Sequence, residues 1–256
     1  MSDFILRNCE VMVVSASTLF HFTNSLETLK AILSSRAFWP RYCVEYAWSK
    51  KNAIPQCCFC DIPLSSICGH MKFYGKFGIG MRKEWGETSD VSPVLYVVKG
   101  SGMYKGVKML LKEPNEAQFR FFVMLKAYCG VNYRMEKGKL RQYKTYKYYD
   151  EREWRYVPKL KDFKKLVVKV GREGLHNKQS LNAETKNKEY MLSFDETAVK
   201  YLIVNSDDDR KEMLDFLSNA KMWSEESRER LKAKIISSFM DLRMSGVRNK
   251  RIIFAV

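Results

Sequence analysis

Residues 151–155 read EREWR and bring two carboxylates, two guanidinium groups and an indole into five consecutive positions. On a strand, alternation places Glu151, Glu153 and Arg155 on one face and Arg152, Trp154 and Tyr156 on the other. The Trp154 side is the natural core side, because its ring carries the largest apolar area. Two carboxylates spaced i, i+2 on an open face repel unless a cation or a ligand lies between them. Arg155 supplies one cation, which suits an exposed salt-bridged strand. The same carboxylates could instead bind a ribose hydroxyl and stabilise an oxocarbenium ion, as glycosyl transfer requires. Composition alone leaves both readings open.

Other chemistry-bearing residues are few. The chain has three histidines, His21, His70 and His176. In "LFHFT", alternation sets His21 and Thr23 together, opposite Phe20 and Phe22, so a polar pair ends the first strand. Such a pair can hydrogen-bond a ligand's ribose or amide, or be a satisfied structural histidine and its neighbour. Cys57, Cys58, Cys60, Cys68 and His70 are close in sequence, but they lack the paired CxxC spacing of a zinc site, so no metal is expected. Buried cysteines acting as small hydrophobes account for the "QCCFC" strand. No residue suggests itself to orient a Cys68–His70 nucleophile pair. The glycines of "YGKFGIGM" lead into a strand, so no phosphate-cradling helix N-terminus follows them.

Charge narrows the partner. Lys and Arg total 45 against 29 Asp and Glu, a net charge of +16. That balance favours an anionic partner. The excess is spread over "KGKLRQYKTYK" (137–147), "KLKDFKK" (159–165) and "RERLKAK" (228–234), which suits a groove tracking a phosphate backbone. Lys139, Arg141, Lys144 and Lys147 are the candidate nucleic-acid contacts, with tyrosines at 143, 146, 148 and 149 available for base stacking. The seven cysteines form no disulfide framework. With an N-terminus lacking a secretory core, they read as reduced thiols of a cytoplasmic protein. No apolar run is long enough for a membrane span.

The elements that must position these residues form an α+β pattern. "STLFHFT" predicts a strand, Asn24 a helix cap, and Ser25 to about Ser35 a helix with Leu26, Leu29, Ile32 and Leu33 on one face. Strands are expected at "QCCFCDIP", "KFGIGMR", "QYKTYKYYD", "EREWRYVP", "KKLVVKV", "EYMLSF", "VKYLIVN" and "RIIFA", with "SPVLYVVKG" the clearest buried strand. Helices are expected at "LSSICGHMKFYG", "NEAQFRFFVMLKAYC", "DRKEMLDFLSNA" and "SEESRERLKAKIISSFMDL". The polar stretch Gly171 to Lys188 predicts a loop.

The order "LFHFTNSLETLKAIL", "CFCDIPLSSICGHMKFYGKFGIGMRKEWG", "YYDEREWRYVP" and "AVKYLIVNSDDDRKEMLDFL", from about Leu19 to Leu217, resembles the abortive-infection AbiGi family of phage-defence proteins. That family is in turn similar to a distant branch of the ADP-ribosyltransferase-like fold, which opens on a His-bearing strand and closes its split sheet with a Glu-x-Glu strand. The resemblance implies an α+β fold: an ADP-ribosyltransferase-like split β-sheet over residues 1–205, with flanking helices and a C-terminal helical pair in 206–256. It implies Glu153 as catalytic carboxylate with Glu151 upstream, His21 and Thr23 on an NAD co-substrate, and Tyr74 in place of the fold's aromatic, where Gly80 stands. The implied function is a phage-defence toxin that ADP-ribosylates RNA or DNA. The alternative is a non-catalytic antitoxin, or nucleic-acid-binding partner, of a nucleotidyltransferase-like toxin. His21 and Glu153 are then expected to face one cleft.

Nucleic-acid affinity, if the basic excess serves it, falls steeply with added salt through counterion release. Charge reversal within 137–147 weakens it without unfolding the chain. Filter binding over a salt series checks this, and salt-independent binding points to a protein partner instead.

Overall fold

A computed structural model describes residues 16–47, 50–110, 115–136, 139–158, 168–169, 181–183, 185–238 and 254–255. The chain opens with β1 (Thr18–Thr23), rich in β-branched and aromatic residues. The Thr23 hydroxyl accepts from the backbone N–H of Ser25 at 3.2 Å and donates to the Ser25 carbonyl at 3.0 Å. Ser25, not Asn24, caps α1 (Leu26–Ser35): its side chain accepts from Thr28 N. α1 buries Leu26, Leu29, Ile32 and Leu33, the face its periodicity predicts.

There follow β2 (Ala37–Phe38), β3 (Arg41–Ala47), the eleven-residue β4 (Lys50–Cys60), a 3₁₀ turn (Leu64–Ser66), α2 (Ile67–Tyr74), β5 (Phe77–Arg82) and α3 (Lys83–Thr88). Next come β6 (Ser92–Pro93), β7 (Leu95–Val97), α4 (Gly102–Leu110), α5 (Glu116–Val123), β8 (Leu125–Ala127), and the hairpin β9 (Gly130–Glu136) and β10 (Lys139–Tyr146). A 3₁₀ turn (Tyr148–Glu151) leads into β11 (Glu153–Tyr156); then β12 (Val168–Lys169), β13 (Leu192–Ser193) and β14 (Val199–Val204) follow. α6 (Asp207–Ser218), α7 (Glu225–Lys232), β15 (Ile235–Ser238) and β16 (Phe254–Ala255) complete the described elements.

The principal sheet runs β16-β15-β14-β5-β1-β4-β11-β6, with β3 and β12 also on β4. Within it β14 and β15 pair parallel, and its other pairs are antiparallel. One face packs on α1 and α6 through Leu19, Leu29, Leu33, Ile79, Leu202 and Met213. The other packs on α2 through Phe20, Cys60, Ile67, Met71 and Ile203. A third cluster (Ile54, Val97, Val107, Phe122, Val123, Leu125) knits α4 and α5 to the β7–β8 pair.

Three elements depart from the pattern in the sequence. "SPVLYVV" is not one buried strand. It divides at Val94, with β6 pairing β11 and β7 pairing β8, because two different partners claim its halves; Leu95 is exposed. The helix of "NEAQFRFFVMLKAYC" starts at an Asn115–Gln118 capping box but stops at Val123, and the following residues pair with β7. The last helix stops at Lys232, and Ile235 and Ile236 join β14 instead. The C-terminal region therefore contributes strands as well as the expected helical pair. In both truncated helices tertiary pairing of apolar residues overrides local helical preference. Most of the 171–188 stretch lies outside the described residues.

Gly75 ends α2 with φ +133°, and a Cβ there would lie 2.0 Å from the Thr23 carbonyl oxygen. A Gly75→Ala substitution therefore has to push β1 and α2 apart. We expect a loss of about 2 kcal/mol or more, read as a lowered denaturation midpoint.

Candidate functional site

The site forms where the sheet comes apart. β1 and β4 share one register pair, Phe20–Cys60. β11 pairs with β4 so that Glu153 stands opposite Cys60, Trp154 opposite Phe59 and Arg155 opposite Cys58. Past Phe20, the link from β1 to β4 is a side chain: His21 Nδ1 donates to the Cys58 carbonyl at 2.8 Å. A cavity of about 270 Å³ opens there, lined by Phe20, Phe22, Phe59, Tyr74, His21, His70, three cysteines, Gln56, Lys126, Glu151 and Glu153. Aromatic walls with a few convergent polar groups are the usual make-up of a small-molecule pocket, here at the small end of the range.

EREWR is neither exposed nor a continuous strand. Glu151 and Glu153 are each 5% exposed and Arg155 1%. Glu151 ends a 3₁₀ turn, Arg152 takes a left-handed conformation (φ 44°), and the strand begins only at Glu153. The two carboxylates converge because of that turn, not through strand alternation. Asp61 fixes it: its backbone N–H donates to the Arg152 carbonyl at 3.0 Å, and its carboxylate binds Lys83 at 2.7 Å and Arg152 at 3.6 Å. Trp154 packs on the main core as expected, with the Lys83 ammonium 4.8 Å above its ring.

Lys126, from β8, bridges the carboxylates: its ammonium donates to Glu151 Oε2 at 2.6 Å and to Glu153 Oε2. Arg155 donates to Glu153 Oε1 from Nε at 2.9 Å and Nη2 at 2.8 Å, and from Nη1 to the Val123 carbonyl. Tyr74 donates its hydroxyl to Glu151 Oε1. The Glu153 backbone N–H donates to the Tyr96 hydroxyl at 2.8 Å. Burial pushes the Glu153 carboxyl up, but Arg155 and Lys126 together outweigh it and hold it at about 2. Lys126 escaped notice in the sequence because it sits in a stretch that reads as helix. The signal was a lone lysine inside the apolar run "FFVMLKA".

His21 is kept neutral mainly by burial, against the Cys58 hydrogen bond, and its ring packs edge-on to Phe38 at 5.1 Å. Because the Cys58 carbonyl can only accept, the proton resides on Nδ1 and Nε2 carries the lone pair. Thr23 does not line the cavity; its hydroxyl is engaged in the turn before α1. Burial pushes the Cys57 and Cys60 thiols up, and Cys58 rises chiefly through its hydrogen bond with Cys43, so these groups stay protonated and unreactive. Among the described residues no group of three or more His, Cys, Asp or Glu is placed to hold a metal.

Four of the five residues implicated in NAD binding or transfer thus line one cavity: His21, Tyr74, Glu151 and Glu153. As arranged, they do not fit the dinucleotide. Both Glu153 oxygens are engaged by buried cations, and Tyr74 is turned onto Glu151. The candidate nucleic-acid residues lie elsewhere. Lys139, Arg141 and Lys144 are placed by backbone in β10, where Arg141 stands opposite Arg134. Lys147 is exposed, paired with Asp150 at 3.1 Å and stacked 5.8 Å from the Tyr128 and Tyr149 rings. The basic segment 159–165 lies outside the described residues. No described helix is long and apolar enough to cross a membrane.

A family model described as a putative abortive phage resistance protein AbiGi, antitoxin, matches residues 36–205. A curated relative, the abortive phage resistance protein AbiGi of Lactococcus lactis subsp. cremoris, is 26% identical over 217 residues, covering 71% of this chain and 87% of that protein. No solved structure matches the chain.

Removing the Glu153 charge leaves Arg155 and Lys126 buried with one partner fewer. Glu153→Gln is expected to destabilise by about 3 kcal/mol or more at pH 7. A carboxyl held below its unfolded value stabilises fully above about pH 4.3 and loses that contribution as pH falls towards about 2. The gap between wild type and Glu153→Gln should therefore narrow from pH 7 to pH 3, measured as urea-unfolding free energies.

Proposed function

The chain belongs to the AbiGi family of abortive phage resistance proteins, and from that premise we propose that it is the antitoxin of its system, a non-catalytic protein that holds a cognate toxin inactive. The single observation that carries this reading is the state of Glu153. A carboxylate that must meet a sugar hydroxyl in a transition state needs an oxygen turned to the ligand. Here one oxygen is bound by Arg155 and the other by Lys126. A buried array of two cations and two anions, tied to β4 by strand pairing, acts as internal framework. The description of the matching family model includes the word antitoxin, which agrees. A net charge of +16 suits an acidic protein partner as well as a nucleic acid.

A second reading keeps the enzyme: NAD-dependent ADP-ribosyl transfer to RNA or DNA. It is favoured by the presence of His21, Tyr74, Glu151 and Glu153 on one cavity. It requires Lys126 to leave Glu153 first.

Co-expression with its cognate toxin separates the two. The antitoxin reading expects growth arrest to be relieved by wild type and equally by Glu153→Gln, at a temperature where the variant is folded. It also expects no nicotinamide release from NAD by the purified chain, with or without RNA or DNA. Nicotinamide release by wild type that Glu153→Gln abolishes would establish the enzyme instead.

A further inference from the structure

Ten large hydrophobic residues are exposed among the described residues, and six of them, Leu95, Val98, Met103, Met109, Leu110 and Phe121, fall between positions 95 and 121. These belong to the layer built from β7, α4, α5 and β8, whose own core is small. Helix α4 accounts for half of the six. At about 100° per residue, its positions follow one another around the axis as Met109, Gly102, Gly106, Leu110, Met103 and Val107. Only Val107 of these is buried; Met103 is 47%, Leu110 53% and Met109 72% exposed. An uninterrupted apolar arc of about 120° thus faces away from the chain's own core.

The arc has a notch and a charged border. A Cβ added at Gly102 or Gly106 would meet nothing within 4 Å, so the chain's own packing does not require glycine at either position. Gly102 opens the helix, but Gly106 lies in its interior, where glycine is costly and, at an exposed position, gives close approach by another backbone in return. Beyond the arc stand Lys105 and Lys108, both exposed. Lys108 lies 5.7 Å from the Tyr104 ring. Residues 95–110 contain three lysines, Lys99, Lys105 and Lys108, and no carboxylate.

We propose that the exposed arc of α4 is the surface on which this chain receives its toxin, by way of an acidic amphipathic helix of that toxin. The inference rests on the antitoxin reading and says where the contact is made. The apolar side of the incoming helix covers Met103, Met109 and Leu110 and packs closely over Gly102 and Gly106. Its carboxylates meet Lys105 and Lys108, which speeds encounter and fixes orientation. A membrane surface is the weaker match, because nine residues presenting three exposed apolar side chains bury little area in lipid, while glycines add nothing to insertion.

The test uses the full chain and its purified cognate toxin, with binding followed by calorimetry and neutralisation by growth rescue. Gly106→Gln fills the notch with an uncharged, helix-favouring side chain in open space, and Met109→Glu puts a negative charge among the lysines. Each is expected to weaken toxin binding at least tenfold and to reduce rescue, with the thermal midpoint unchanged or raised. Tight toxin binding that both variants retain overturns the α4 surface and leaves the antitoxin reading intact. Wild type that neither binds nor neutralises the toxin overturns both. Vesicles of anionic phospholipid, or a wild-type dimer, lost on Gly106→Gln with toxin binding unchanged would assign the arc to lipid or to a second copy and overturn the proposal.

Discussion

A guanidinium with 1% exposure must be answered by charge where it lies, and Arg155 is such a group. Its answer is Glu153, which then needs Lys126, which in turn reaches Glu151. Each link comes from a different element: β11, β8 and the 3₁₀ turn before β11. The network therefore dictates how the β7–β8 layer, with its helices, sits against the long strand β4. Val123 at the end of α5 takes part through its carbonyl, and Tyr96 of β7 through its hydroxyl. Two cations and two anions with these hydrogen bonds leave the cavity floor close to neutral.

Sequence reasoning was strongest where local pattern and tertiary environment agreed. β1, the apolar face of α1, β5 and β14 all carry their periodicity plainly. It failed where a short segment had two suitors. Nothing local in "SPVLYVV" says that Pro93 pairs with Trp154 while Leu95 pairs with Leu125. The site was half visible: His21 and both glutamates stood out by residue type and Tyr74 through the family resemblance, and they share a cavity. Their state was hidden, because exposure and burial of EREWR depend on what covers β11. Lys126 lies in a stretch whose pattern reads as helix. Thr23 was misjudged because a hydroxyl next to Ser25 has a local turn to serve.

Membership in the AbiGi family and the geometry of the carboxylates bear on different questions. The first says what kind of system the protein serves. The second says that its most reactive-looking residues are occupied with one another. A charge of +16 distributed over hairpin, helices and loops is compatible with several partners. The apolar arc on α4 is more selective, since shape and sign must both be met there.

The single ladder pair between β1 and β4 has a mechanical consequence. On one side of it β5, β14, β15 and β16 form a continuous hydrogen-bonded plate with β1; on the other, β11 and β6 do so with β4. Between the plates, load passes through Phe20–Cys60, the His21–Cys58 bond and the Asp61 contacts to Ala16 and Lys83, together with the apolar side chains packed across the line. Such a seam behaves as the spine of a book. Small rotations about it change the volume of the cavity while sacrificing almost no backbone hydrogen bonds within either plate. Force applied at β11 by anything bound near Lys126 is therefore felt at β1 as a torque, carried in part by one imidazole.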